Sequence, residues 1–92
     1  CALPISADTR GSIEFVLMEI PPQTFTADKE HTHTGEETSY VEYGDVDIWL
    51  NGEKFRLHAG DAIRIPAGTH HRWFNPGDEM VRVIFAVTPP SF

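Results

Sequence analysis

Apolar residues in this chain recur at every second position, in short runs broken by glycine, proline, asparagine and aspartate. Period two is the mark of a β-strand, whose side chains point alternately to opposite faces. Residues 45–50 carry it most cleanly: Val46, Ile48 and Leu50 share one face, and Asp45, Asp47 and Trp49 the other. Asn51-Gly52 follows. A type I′ turn needs positive φ at both central residues, so the chain is expected to return as a hairpin strand over 53–57. Over 12–20, Ile13, Phe15 and Leu17 alternate with Val16, Met18 and Ile20, so both faces of this strand are expected to be covered. Pro21-Pro22 ends it, because proline cannot donate to a ladder. Further strands are expected over 38–43, 62–65, 71–74 and 80–87, the last with Val81, Val83, Phe85 and Val87 on one face. Residues 23–30 read as a loop or short strand, and 1–10 as an arm leading into the fold. No helical pattern of ten residues occurs. Short strands separated by turn signals every eight to twelve residues predict an all-β sandwich or barrel.

Length and charge narrow the picture. Ninety-two residues make one small domain, expected as an arm (1–11), a barrel (12–88) and a tail (89–92). A chain this short gains from closing a barrel or pairing with a second copy, and edge strands need covering, so a homodimer is expected. Seven Lys and Arg stand against fourteen Asp and Glu, a net charge of −7. That balance disfavours direct contact with nucleic acid or with an anionic membrane. The one cysteine, Cys1, permits no intrachain disulfide. With no signal peptide and no apolar run long enough for a transmembrane helix, a cytoplasmic setting is expected.

Candidate chemistry gathers at residues 31–37, His-Thr-His-Thr-Gly-Glu-Glu. His31 and His33, one residue apart, point to the same side of a strand, so their imidazoles can converge. Glu37 follows after a short bend, and His71 arrives later behind the Pro66-Ala67-Gly68-Thr69 turn. Imidazoles plus a carboxylate form a first-row transition-metal ligand set, suited to Zn, Ni, Fe, Mn, Co or Cu. His58 and His70 have no such company and read as ordinary surface or core histidines. No Ser-His-Asp arrangement, phosphate loop or cysteine-based site stands out.

Two spacings carry a family resemblance: His31-x-His33-x3-Glu37-x6-Gly44, then, fifteen residues on, Gly60-x5-Pro66-x-Gly68-x2-His71-x3-Asn75. Together they resemble the two motifs of the cupin superfamily. Phe25 stands where that pattern usually has a turn glycine six residues before the first histidine. The resemblance implies a double-stranded β-helix, or jelly roll. It implies one divalent metal ion inside the barrel, held by His31, His33, Glu37 and His71, with two positions left for water or a ligand. Tyr40 or Tyr43, Trp49, Arg64, Trp73 and Phe85 are candidates for the pocket wall.

The Gly35-Glu36-Glu37 triplet, the run Asn75-Pro76-Gly77-Asp78-Glu79 and the ending Thr88-Pro89-Pro90-Ser91-Phe92 resemble a narrower group. These are the C-terminal ligand-sensing cupins of bacterial transcription regulators of the XRE type. The resemblance implies a small-molecule ligand, and DNA contact through a helix-turn-helix domain preceding Cys1. The same ligand set serves dioxygenases, isomerases and epoxidases, so a metal-dependent enzyme is the alternative. Glu36 and Glu42 are then the candidates for a general base. A binding or storage module without metal is the third reading.

Overall fold

The computed structural model describes residues 12–26 and 35–88, with the backbone of Ala2–Pro4. Among the described residues the chain forms two antiparallel sheets and no helix. The first sheet runs β1 (Ala2–Pro4), β2 (Glu14–Ile20), β9 (Val81–Thr88), β4 (Glu36–Tyr43) and β7 (Ala62–Ile65). The second runs β3 (Thr24–Phe25), β8 (His71–Asn75), β5 (Val46–Leu50) and β6 (Glu53–Leu57). Strands distant in sequence lie side by side in both, the interleaving expected of a jelly roll.

Alternation decides what fills the space between the sheets. Val16, Met18 and Ile20 of β2, Val41 of β4 and Val81, Val83, Phe85 and Val87 of β9 are buried. Val46 and Ile48 of β5 and Trp73 of β8 meet them from the other side, in one cluster. The Asn51-Gly52 turn has the expected positive φ at both residues, 50° and 86°. β6 and β7 keep their expected bounds, while β4 starts at Glu36, before the expected residue 38.

One expectation about faces fails. The second face of β2 is not covered: Ile13 and Phe15 are 62% and 47% exposed, and Leu17 is half-buried. That face forms the outside of the first sheet, where Leu17 lies beside Ile84 and Ile84 beside Tyr40. Asp47 lies on the polar face of β5, yet is only 3% exposed. The Arg56 guanidinium closes over it with a hydrogen bond from Nε to Oδ1, and Lys54 lies 4.0 Å away. That bond, with the charge of Asp47, raises the Arg56 pKa above its ordinary value.

Asn75 closes one end of the sandwich. It is fully buried, and its Nδ2 donates to the carbonyls of Ile20 (2.9 Å) and Glu79 (2.6 Å). Its Oδ1 accepts from the Gly77 amide at 2.9 Å. One side chain thus satisfies the end of β2 and the loop between β8 and β9, where backbone groups would otherwise be buried without partners.

Gly44 lies at the same end, at φ 91°. A Cβ there would meet Val81 Cγ2 at 2.8 Å and the Met80 carbonyl at 3.4 Å, whereas at Gly52 it would meet nothing within 4 Å. Gly44→Ala is therefore expected to lower the unfolding free energy by about 2–4 kcal/mol, from backbone strain and overpacking together. Gly52→Ala, with strain alone, is expected to cost about 1 kcal/mol. Urea unfolding of both variants checks the difference; equal losses would remove the Val81 contact from the account.

Candidate functional site

The opposite end of the sandwich holds ionisable side chains. Glu37 lies on the inward parity of β4 with Ser39 and Val41, between Val87 of β9 and Ile65 of β7. His71 opens β8 on the inward parity of Trp73 and Asn75, opposite Leu50 of β5. The two residues come from different sheets, and each is 2% exposed. His71 Nε2 lies 3.8 Å from Glu37 Oε1.

Local structure orients both. Ser39 Oγ donates to Glu37 Oε2 at 3.0 Å, two positions along the same face. The turn at 66–69 closes with Thr69 N donating to the Pro66 carbonyl, and the Thr69 carbonyl lies 3.3 Å from His71 Nδ1. Asn51 clamps the neighbouring residue: its amide donates to the His70 carbonyl at 2.8 Å, and its Oδ1 accepts from His70 N at 3.0 Å. The hairpin turn and the Pro-x-Gly turn therefore fix where β8 enters.

This arrangement suits a cation. A proton on Nδ1, shared with that carbonyl, would leave the Nε2 lone pair facing the carboxylate. Two acceptors across that gap are favourable around a metal ion or a proton. Donors that share one ion at about 2.1 Å lie about 3–4.2 Å apart, depending on bond angle, so the observed gap fits. His31 and His33 lie outside the described residues. Among the described residues no three His, Cys, Asp or Glu side chains are grouped to hold a metal. The described structure thus carries Glu37 and His71 of the four-residue set.

The expected wall residues part company. Trp73 and Phe85 are buried on the inner faces, Phe85 directly opposite Ser39 and Val16, one step deeper than Glu37. Trp49, Arg64 and Tyr43 do not share that space. Trp49 lies on the outer face of the second sheet, its ring centroid 5.6 Å from that of Phe25, with the Arg72 guanidinium 5.5 Å over it. Arg64 lies on the outside of β7 and donates to Glu36 at 2.5 and 3.1 Å. A register shift between Val41 and Tyr43 turns Tyr43 outward, and it does not continue the parity of Glu37. Its hydroxyl donates to Glu79 Oε1 at 2.7 Å, which raises its pKa above 10.0. Tyr40 is also exposed. So are His58, hydrogen-bonded to Asp45, and His70, as expected of bystanders.

One inward carboxylate was not anticipated. Glu14 opens β2 and is 6% exposed. Val87 stands between it and Glu37 in one row across the sheet. The signal was available, since Glu14 has the parity of Val16, Met18 and Ile20. A separate depression of about 270 Å³ lies at the Asn75 end and includes Asp45, Asp78 and Glu79. It is remote from Glu37 and His71.

The cupin domain family model matches residues 16–87. The polyketide synthase CurC of Streptomyces cyaneus is 41% identical over 61 residues, 65% of this chain and 40% of that protein. The HTH-type transcriptional regulator PuuR of Escherichia coli K12 is 35% identical over 60 residues, 65% of this chain and 32% of that protein. The chain thus spans well under half the length of these relatives. Among solved structures, the Cupin_2 domain of an XRE family transcriptional regulator from Enterobacter cloacae superposes with a TM-score of 0.83 at 16% identity. That match covers 98% of this chain and 96% of that one. Two antiparallel sheets wound into a jelly roll, both sequence motifs and a family match over most of its length agree: the chain belongs to the cupin family.

Proposed function

We propose that this cupin is the ligand-sensing domain of a bacterial transcription regulator and binds a small metabolite in the barrel beside one divalent transition metal ion. The observation that carries this reading is the meeting of Glu37 and His71. They are 34 residues apart in sequence (71 minus 37), on different sheets, both buried and 3.8 Å apart. Two ionisable side chains that different sheets bring together in the interior, the imidazole Nε2 edge toward the carboxylate, suit a shared cation. In this reading His31 and His33 complete the ligand set. The ion is Zn, Ni, Fe, Mn or Co, and when bound it supplies Lewis acidity and open coordination positions. Ser39 holds one carboxylate oxygen of Glu37, the Thr69 carbonyl fixes the imidazole tautomer of His71, and Phe85 and Trp73 keep water from the floor.

The regulator reading is supported by the likeness to PuuR and to the XRE family domain. A net charge of −7 makes this domain a poor DNA grip, so a separate basic domain of the whole protein does that work. Sensing requires that the metabolite bind two states of the protein unequally. The exposed outer face of the first sheet, with Ile13, Phe15 and Tyr40, is the surface through which two copies associate in this reading. The likeness to CurC, whose name describes a synthase, favours a second reading as a metal-dependent enzyme. A metabolite panel incubated aerobically with metal-loaded protein separates the two: a sensor binds without turnover.

Calorimetric titration with Ni²⁺ is expected to give one equivalent bound to the wild-type chain. It should give none to His71→Ala or to the paired His31→Ala and His33→Ala variant, with circular dichroism unchanged. Full occupancy in either variant refutes the ligand set. Ser39→Ala, which removes the donor that orients Glu37, is expected to weaken Ni²⁺ about 10- to 100-fold without altering stoichiometry. Unaltered affinity in Ser39→Ala would leave the hydroxyl no part in orienting the carboxylate.

A further inference from the structure

We infer that Asn51 is a positioning residue for His71: its side-chain amide, at the tip of the β5–β6 hairpin, holds the residue that aims the imidazole at Glu37. The inference rests on the reading of Glu37 and His71 as metal ligands. The turn itself asks only for positive φ, which glycine supplies without strain. Asn51 adopts φ 50° at an exposed position. What it adds over glycine is an oxygen. In an antiparallel ladder a hydrogen-bonded pair exchanges two N–H···O bonds. Asn51 N donates to the His70 carbonyl at 2.8 Å, the first bond of such a pair. The second, from His70 N, goes to the side-chain Oδ1 at 3.0 Å. The side chain thus carries the β5–β8 ladder one residue past its last pair, Leu50 with His71.

The residue so held stands between the two that orient the ring. The Thr69 carbonyl lies 3.3 Å from His71 Nδ1. A carbonyl can direct a ring two positions on only while the residue between them keeps its conformation. His70 is that residue. It is exposed, so burial does not fix it, and Asn51 engages both its backbone groups. On its other side β8 pairs with β3 at Phe74 and Asn75, and Thr26 bonds to the backbone of Trp73. At His71, among the described residues, β5 alone pairs with the strand. Loosening the start of β8 would let the 3.8 Å gap between His71 Nε2 and Glu37 Oε1 vary, and a metal site tolerates little such drift.

The test compares Asn51→Gly, Asn51→Asp and Gly52→Ala with the wild type. Asn51→Gly keeps the turn and removes the oxygen, whereas Asn51→Asp keeps the oxygen and tolerates positive φ. In metal-free protein, the His70 amide of Asn51→Gly is expected to exchange its hydrogen at least about 10-fold faster than in the wild type. Calorimetric titration of the same variant with Ni²⁺ is expected to show affinity about 3- to 10-fold weaker at unchanged stoichiometry. Asn51→Asp is expected to restore both. Gly52→Ala strains the same turn without touching the side-chain bond, so it should unfold at lower urea yet bind Ni²⁺ as the wild type does. Unaltered exchange or unaltered affinity in Asn51→Gly overturns the assignment, as does a failure of Asn51→Asp to restore them. An equal loss of affinity in Gly52→Ala also overturns it, since turn stability would then account for the effect. Wild-type protein that takes up no Ni²⁺ overturns the metal centre itself, whereas wild-type binding matched by Asn51→Gly overturns the positioning role alone.

Discussion

The register of β4 against β9 and β7 is the constraint on which the site depends. Side chains alternate strictly, so a slip of one residue would carry Glu37, Ser39 and Val41 to the outside. Several contacts prevent it. Val41 is fully buried against the valines of β9. Its backbone is engaged on both sides by the next turn, its amide donating to the Asp61 carbonyl at 2.9 Å and its carbonyl accepting from Gly60 N at 2.8 Å. The register shift that follows, before Gly44, absorbs the change of direction into β5 without disturbing residues 36–41. The hydrophobic centre of the strand thus sets the address of a carboxylate four residues upstream.

The two ends of the sandwich bury polar groups of different kinds. At the Asn75 end buried polar atoms are satisfied within the chain, by an amide that meets three backbone groups. Such a network rigidifies the fold and has no need of a ligand. At the Glu37 end a carboxylate and an imidazole, Glu37 and His71, are buried between the sheets. Folding alone would favour apolar residues at positions 14, 37 and 71, since a buried ionisable group is worth less to stability than a well-packed hydrophobe. Departure from the stable choice at one end only is how a small fold accommodates function.

Much of this was legible in the sequence, because its signals were local. Asn51-Gly52 dictates its own turn, and the alternation of Val81 to Val87 dictates which face of β9 is buried. The convergence of Glu37 and His71 could be read only as two spaced motifs, since nothing local joins residues 34 apart. Where the reading failed, the cause was long-range. Alternation places Trp49 and Val46 on opposite faces but does not say which aromatic lines a cavity and which packs outside. Trp49 proved to belong with Phe25 and Phe74 under Arg72. Tyr43 lost its expected parity to an irregularity in pairing with β9, which no single-strand pattern encodes. Ile13 and Phe15 are apolar enough to be core, and their exposure follows from the order of strands rather than from hydropathy.

The same architecture relates this chain to proteins named as a regulator and as a synthase, and the inner faces explain how one frame can serve both. The positions of Glu37 and His71 follow from strand register and two turns. Glu14, Phe85 and Trp73 lie on the same inner faces but outside that pair. On the proposed reading, discrimination between ligands, and between binding and turnover, would reside in those neighbours, since function lies in the site and not in the frame.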